Sequence, residues 1–295
     1  MNRLRQPLRH WLYLLMVGFY TCLSINPAHA DENLFGYVYG ADVLPKGANE
    51  AYVWLTHRSD KGKGTYSATD VQMEFEHGIT DRLQGSLYLT GNRHLIRGSQ
   101  DLDASGNPEY PDQDATRLNG VKTAFKYNVL SVYTDPIGLS FYIEPGYSTV
   151  HKVTGQRQTQ YSLETKAILQ KNFLDDQLVV AYNATLEYER RRFRDTGDRE
   201  WEFEWEQTAG VSYRFAPNWF GGVEARLHTE WPEGHKEHSA WFAGPNLHYG
   251  AKDWWFTVTW LPQITGTPVD PARSRRLHLG EHERQELRLK VGYNF

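Results

Sequence analysis

Arg284-Gln285-Glu286-Leu287-Arg288-Leu289-Lys290-Val291-Gly292-Tyr293-Asn294-Phe295 is the stretch whose reading decides the fold. Leu287, Leu289, Val291, Tyr293 and Phe295 share one parity, and Arg288, Lys290, Gly292 and Asn294 share the other. Successive side chains of a strand point to opposite faces, so this segment reads as a strand with one apolar and one polar side.

Working back from that strand, the same period of two recurs in segments of about ten residues, the length expected of a membrane-crossing strand. The readings are 50–58, 65–77, 82–91, 118–129, 139–150, 160–171, 178–189, 200–215, 220–229, 240–249, 254–263 and the C-terminal segment, twelve in all. In the second, Val71, Met73 and Phe75 oppose Asp70, Gln72, Glu74 and Glu76; in the fourth, Val121, Phe125 and Tyr127 oppose Lys122, Lys126 and Asn128. Pro145-Gly146 predicts a bulge in the fifth, because proline cannot donate to a ladder. Even-numbered junctions (Gly78–Asp81, Ser131–Gly138, Asn172–Gln177, Ala216–Asn218, Gly250–Asp253) are brief, whereas Asn92–Arg117 and Ile264–His282 are long and polar. That asymmetry predicts an all-β fold: a single closed antiparallel transmembrane β-barrel of about twelve strands, with short periplasmic turns and longer extracellular loops. A soluble antiparallel barrel or sandwich also alternates, but it leaves the loop asymmetry and the N-terminus unexplained.

Arg3, Arg5 and Arg9, the apolar run Trp11–Leu23 and Ala28-His29-Ala30 together read as a signal peptide over 1–30. The expected organisation is therefore a removed signal, an N-terminal periplasmic segment over 31–49 and the barrel over 50–295, with Sec-type export to the outer membrane of a Gram-negative cell. Losing residues 1–30 removes three arginines, no acids and Cys22, the sole cysteine, leaving 29 Lys+Arg against 36 Asp+Glu and a net charge of −7. No basic excess supports nucleic-acid binding, and no disulfide can form. A mean hydropathy of −0.64 together with 10 Trp, 18 Tyr and 13 Phe suits a barrel. In a barrel only alternate residues meet lipid, and aromatics gather at the two interfaces. Trp201, Trp219, Trp254 and Trp260, with Tyr293 and Phe295, are expected in such belts.

The apolar parity must face lipid, because the reverse would put Glu202 and Glu204 at mid-membrane. The lumen then carries Asp70, Glu74, Lys122, Lys126, Arg214, Arg226, Arg288 and Lys290, and an acidic cluster of Glu187, Glu189, Glu200, Glu202, Glu204 and Glu206. Same-face neighbours about 7 Å apart repel by roughly 0.6 kcal/mol in water and about 2.4 at an effective dielectric of 20. The cluster needs counter-charges, and Arg190, Arg191, Arg192, Arg194, Arg214 and Arg226 are at hand. It reads either as an internal salt-bridge network or as a cation-attracting wall. Closure of the last strand onto the first places Arg288 and Lys290 one strand from Asp70 and Glu74, their expected partners.

Catalytic signals are weak. Glu237-His238-Ser239-Ala240 is not the His-x-Ser-Asn setting of outer-membrane lipid hydrolases, and Gly-x-Ser-x-Gly does not occur. Acids and His228 are present, as an outer-membrane protease would need, but no spacing singles them out. His235-Lys236-Glu237-His238 and His278 to His282 could offer zinc ligands from neighbouring loops. Histidines of polar loops are ordinarily just solvated, so no metal, cofactor or catalytic residue is assigned.

Tyr293-Asn294-Phe295 resembles the aromatic-x-aromatic terminus read by the barrel-assembly machinery. Leu44-Pro45-Lys46-Gly47, Ala68-Thr69-Asp70 and Glu76-His77-Gly78-Ile79-Thr80-Asp81-Arg82-Leu83-Gln84 together resemble a family of proteobacterial outer-membrane barrels of undefined activity. They are also similar to the broader set named for the meta-pathway of phenol degradation. The resemblance implies a passive or substrate-biased transporter of small solutes, with no catalytic residues to carry over. The alternatives are a closed structural or interaction barrel acting through its outer loops and, behind it, a lipid-modifying hydrolase. Expected partners are outer-membrane lipid, the assembly machinery and a small-molecule solute.

Overall fold

A computed structural model describes residues 33–98 and 112–295; the expected signal peptide and the centre of the long Asn92–Arg117 loop lie outside the described residues. Twelve strands follow one another: β1 (Asn49–Ser59), β2 (Thr65–Thr80), β3 (Leu83–Arg97), β4 (Gln113–Leu130), β5 (Gly138–Val150), β6 (Arg157–Phe173), β7 (Leu178–Phe193), β8 (Arg199–Ala216), β9 (Trp219–Pro232), β10 (His238–Gly250), β11 (Trp254–Thr267) and β12 (Gln285–Asn294). Each pairs antiparallel with its neighbours, and β12 closes on β1 through pairs such as Val53↔Val291 and Thr56↔Arg288. No edge is left, which is what hydrocarbon demands of a spanning sheet.

The alternation sorts the side chains as the sequence predicts. Met73, Phe75, Leu87, Val121, Phe125 and Leu287 are exposed on the outer wall, while Glu74, Glu76, Lys126, Glu202 and Lys290 are buried inside. At the rim of short turns, the outer aromatics form a belt: Trp219 packs on Tyr249 (4.8 Å between ring centroids), Tyr249 on Trp254 (5.1 Å) and Phe75 on Phe295 (6.3 Å). Tyr188, Trp201 and Phe203 begin a second belt toward the loop rim. Trp260 differs from expectation, standing in the middle of β11 on the outer face, paired across with Leu287.

Several strands run further toward the loop rim than the alternation signals. β3 and β4 extend past Gly91 and Leu118 to a paired end where Arg93 meets Asp114 at 3.0 Å on the outside. Above the membrane both faces can be polar, so the amphipathic signal fades while the ladder continues. The bulge predicted at Pro145-Gly146 is absent on the β6 side: Glu144↔Glu164, Pro145↔Leu163 and Gly146↔Ser162 keep one register. The ladder shifts instead at Asn128/Leu130 and Ser148/Val150. Pro145 needs no donor because the β4–β5 pairing skips it, resuming from Ile143 to Gly146 without a change of register.

The described part of the segment expected ahead of the barrel, residues 33–45, is drawn inside it. Leu34, Phe35 and Val38 pack against the inner-wall residues Val179, Ala181 and Phe220. Phe35 lies so close to Gly210 of β8 that a Cβ there would come within 2.6 Å of its ring. A bare patch of wall is thus part of the seat.

Candidate functional site

The inserted segment has no strand partner, so its buried backbone groups must be met by other means. Wall side chains supply them. The Glu224 carboxylate accepts the N–H groups of Gly36 (2.8 Å), Tyr37 (2.7 Å) and Val38 (3.2 Å), and the Thr259 hydroxyl (2.7 Å). Asn183 accepts from Tyr39 N–H and donates to its carbonyl (2.6 and 3.0 Å), Gln170 accepts from Ala41, and Gln84 from Leu44. Carbonyls are served by Arg288 at Gly36, Lys126 at Gly40, and Asn128 and Ser140 at Ala41. These partners come from β3, β4, β5, β6, β7, β9 and β12. The segment therefore crosses the lumen and fills its turn-side half.

Inward-pointing aromatics complete the filling. Tyr39 of the segment packs against Trp54 (6.2 Å) and Tyr142 (5.6 Å), with Lys166 over its ring at 5.0 Å. Trp255 donates to Glu50 and lies across Gly292, where a Cβ would come within 2.3 Å of the indole. Lys290 donates to Asn33 Oδ1 at 2.5 Å and stands over the Trp54 ring, and Arg288 stacks on Tyr37 at 3.7 Å. The basic pair of β12 is thus turned to the inserted segment rather than to the acids of β2. Asp70 pairs instead with Arg58 at 2.6 Å. Glu74 is buried on the inner face among Tyr52, Tyr88 and Glu76.

Above this plug the lumen opens into a cavity of about 950 Å³, whose walls rise from Asp70, Lys122 and Glu187 to the loops at 150–157 and 232–237. Cross-strand register arranges its charge. Glu144, Glu164, Glu187, Glu204 and Glu230 are direct partners across five consecutive strands, β5 to β9, forming an acidic belt around nearly half the wall. Like charges placed directly opposite destabilise a ladder, and basic groups are interleaved. Lys122 pairs with Glu144 (2.8 Å), Lys166 with Glu164 (2.6 Å), and His228 with Glu230 (2.6 Å) and Glu204 (3.5 Å). Carboxylate oxygens of Glu187, Glu189 and Glu204 lie within 4.8 Å of one another.

The predicted acidic cluster occupies β7, β8 and the loop-side wall. Arg191 gathers Glu189 (3.5 Å), Glu200 (3.2 Å) and Glu202, while Arg226 holds Glu206 (3.4 Å) and Glu286 (2.9 Å). Of the other predicted cations, Arg190 and Arg192 share the outer parity with Tyr188, and Arg214 stands at the turn rim, donating to the Asp175 carbonyl. Glu144, Glu164 and Glu230 complete the belt and were not singled out by spacing. Their only sequence signal is inward parity, and Glu230 lies just past the predicted end of its strand. Tyr293 and Phe295 are exposed at the turn rim, stacked at 6.1 Å.

A closed twelve-strand wall, apolar outside and charged inside, with two aromatic belts and short turns at one rim, defines a transmembrane barrel of the outer-membrane class. The chain belongs to a family of unknown function, DUF6662, whose profile spans residues 27–295. No curated protein matches it in sequence. Its fold is similar to that of the COG4313 outer membrane channel from Pseudomonas putida F1 (TM-score 0.61, 11% identity, 86% of this chain and 98% of that one). It is also similar to the NanC porin (TM-score 0.50, 13% identity, 82% and 98%).

Proposed function

We propose that this barrel is an outer-membrane channel for small solutes, with a charged loop-side vestibule and an internal plug formed by residues 33–45. The observation that carries the reading is the cavity of about 950 Å³, enclosed by strands and lined mostly by charged and polar residues. A wall meant only for structure would be filled through its length, as the turn-side half is. The acidic belt supports a preference for cations, by the charged-ring logic of channels. The shared fold with a protein described as an outer membrane channel, and the resemblance of the first two hairpins to meta-pathway transporters, support passage as the activity. In this reading the export route is Sec-type, the turn rim is periplasmic, and Tyr293 and Phe295 present the assembly signal.

The plug favours a second reading, a closed barrel acting through its loops. Planar-bilayer recordings of the refolded full chain and of a variant lacking residues 33–44 separate the two. A channel gives small cation-preferring conductance that grows on deletion. A wild type that is silent beside a conducting variant identifies a barrel sealed by its plug. Anion selectivity, or silence of both, overturns the proposal.

A further inference from the structure

At the loop end of the cavity, four histidines and a carboxylate converge from three parts of the chain. His228 and Glu230 share the inner face of β9, His238 opens β10 directly opposite Glu230 in the ladder, and His282 folds over them from the β11–β12 connection. The His282 ring stands 5.2 Å from that of His228 and 4.8 Å from that of His238, nearly perpendicular to both. The His228 Nε2 is 2.6 Å from Glu230 Oε1, and the His238 Nε2 is 3.0 Å from Glu230 Oε2. Coordinating atoms of His228, Glu230 and His282 lie within 4.8 Å of one another.

Two further observations point to a ligand. His238 is 1% exposed and His282 5% exposed. Among the described residues, the Nδ1 of His238 and the Nε2 of His282 make no hydrogen bond, while the Nε2 of His238 is held by Glu230. These are not the solvated loop histidines that the sequence suggests. A buried polar atom without a partner is costly, and here two lie in one place. The surroundings are those of a metal site. His228 turns its Nδ1 to Glu206 at 3.3 Å, the carboxylate–histidine arrangement that orients a ligating imidazole and raises its basicity. His278 is different: its Nδ1 donates to the Pro268 carbonyl (2.6 Å) and its Nε2 accepts from Glu281 N–H (3.3 Å), so it only stacks on His238 at 4.8 Å.

We propose that His228, Glu230, His238 and His282 bind one divalent transition-metal ion of the zinc class, reached from the cavity. Three imidazoles and one carboxylate supply the donor types of a tetrahedral Zn²⁺ or Co²⁺ site, with Glu230 shared between the His228–His282 group and the His238 group. The bound ion ties the long β11–β12 connection to the barrel wall. This inference stands apart from conductance.

The test uses the refolded full chain in detergent micelles, stripped with chelator and titrated with Zn²⁺ by calorimetry and with Co²⁺ by visible absorption. One equivalent of Zn²⁺ and the intense d–d bands of a tetrahedral nitrogen-rich Co²⁺ site are expected. Glu206→Gln weakens binding by about tenfold and His282→Ala by more, while His235→Ala, on the exposed loop, leaves it unchanged. Retained heat-modifiability on electrophoresis shows that each variant keeps its barrel. Absence of a tetrahedral Co²⁺ spectrum in the wild type overturns the site whatever the variants do. So does Zn²⁺ binding that a His228→Ala, His282→Ala double variant retains in full.

Discussion

The Glu224 carboxylate on β9 accepts the backbone N–H of Tyr37 at 2.7 Å, and the same group holds the N–H of Gly36 and Val38. A carboxylate so placed does for the inserted segment what a neighbouring strand would do for a strand, and from inside a barrel. Hydrogen bonds to a charged group contribute about 1.5–3 kcal/mol each in favourable cases, and a buried donor left without its acceptor costs about 1–3 kcal/mol. Glu224→Ala strands three donors at once. It is expected to lower barrel stability by about 3 kcal/mol or more, to speed amide exchange at Gly36–Val38 and to enlarge conductance. Glu224→Gln, which keeps an acceptor oxygen, should fall between. Amide exchange at Gly36–Val38 unchanged from wild type in Glu224→Ala would show that apolar packing alone holds the plug.

Leu87 on β3 is 62% exposed in the isolated chain, beside Leu89, Val121 and Phe125. If that wall faces acyl chains, Leu87→Arg costs about 2–4 kcal/mol at the membrane midplane. Urea titration of the protein refolded into vesicles measures the difference. Equal stability of the two forms would place Leu87 outside the hydrocarbon and dissolve the assignment of faces.

The fold was legible because one physical rule, alternation between lipid and lumen, governs every strand. Leu287, Leu289 and Val291 announce it at one end of the chain, and Met73 and Phe75 at the other. Where that rule stops, so does legibility. Arg93 and Asp114 lie in strand extensions where both faces are polar, and Pro145 looks like a break although its register is continuous. Phe35 to Tyr39 carry no period that could reveal a plug, since their backbone partners are single side chains on three separate strands, Asn183 of β7, Glu224 of β9 and Arg288 of β12. The acidic belt exists only as a register: no spacing in the sequence links Glu144 to Glu230. His238 and His282 meet because a loop folds back over β9. Local polarity around them suggested the opposite, solvated side chains.

Arg191 draws Glu189, Glu200 and Glu202 together at the loop end of the acidic wall. Removing one partner of a buried ion pair leaves uncompensated charge and costs about 3–5 kcal/mol. Arg191→Met is therefore expected to lower the urea midpoint strongly and to raise the cation-to-anion permeability ratio in bilayers. Adding Glu202→Met should recover much of the stability, because a well-packed apolar pair often equals a buried ionic one. A permeability ratio untouched by Arg191→Met would mean that these carboxylates do not face the conducting path.

His151, in the loop between β5 and β6, links that same arginine to pH. Burial, reinforced by the Arg191 guanidinium 3.0 Å from Nε2, holds the imidazole well below its ordinary range; His94 and Arg58 act in the same direction and Glu230 against it. The unfolded chain therefore binds the proton better than the folded one. The contribution of neutral His151 is fully present above the ordinary histidine pKa of about 6.5 and is lost as pH falls below it toward the depressed folded value. The loss approaches about 1.4 kcal/mol per pH unit. Replacing the ring by His151→Gln keeps an acceptor for Arg191 but removes the titration. Urea midpoints of wild type and variant should keep a constant offset above about pH 7.5 and shift progressively in the variant's favour down to about pH 5. Profiles that stay parallel through that window would show that His151 is protonated as readily in the folded barrel as in the unfolded chain.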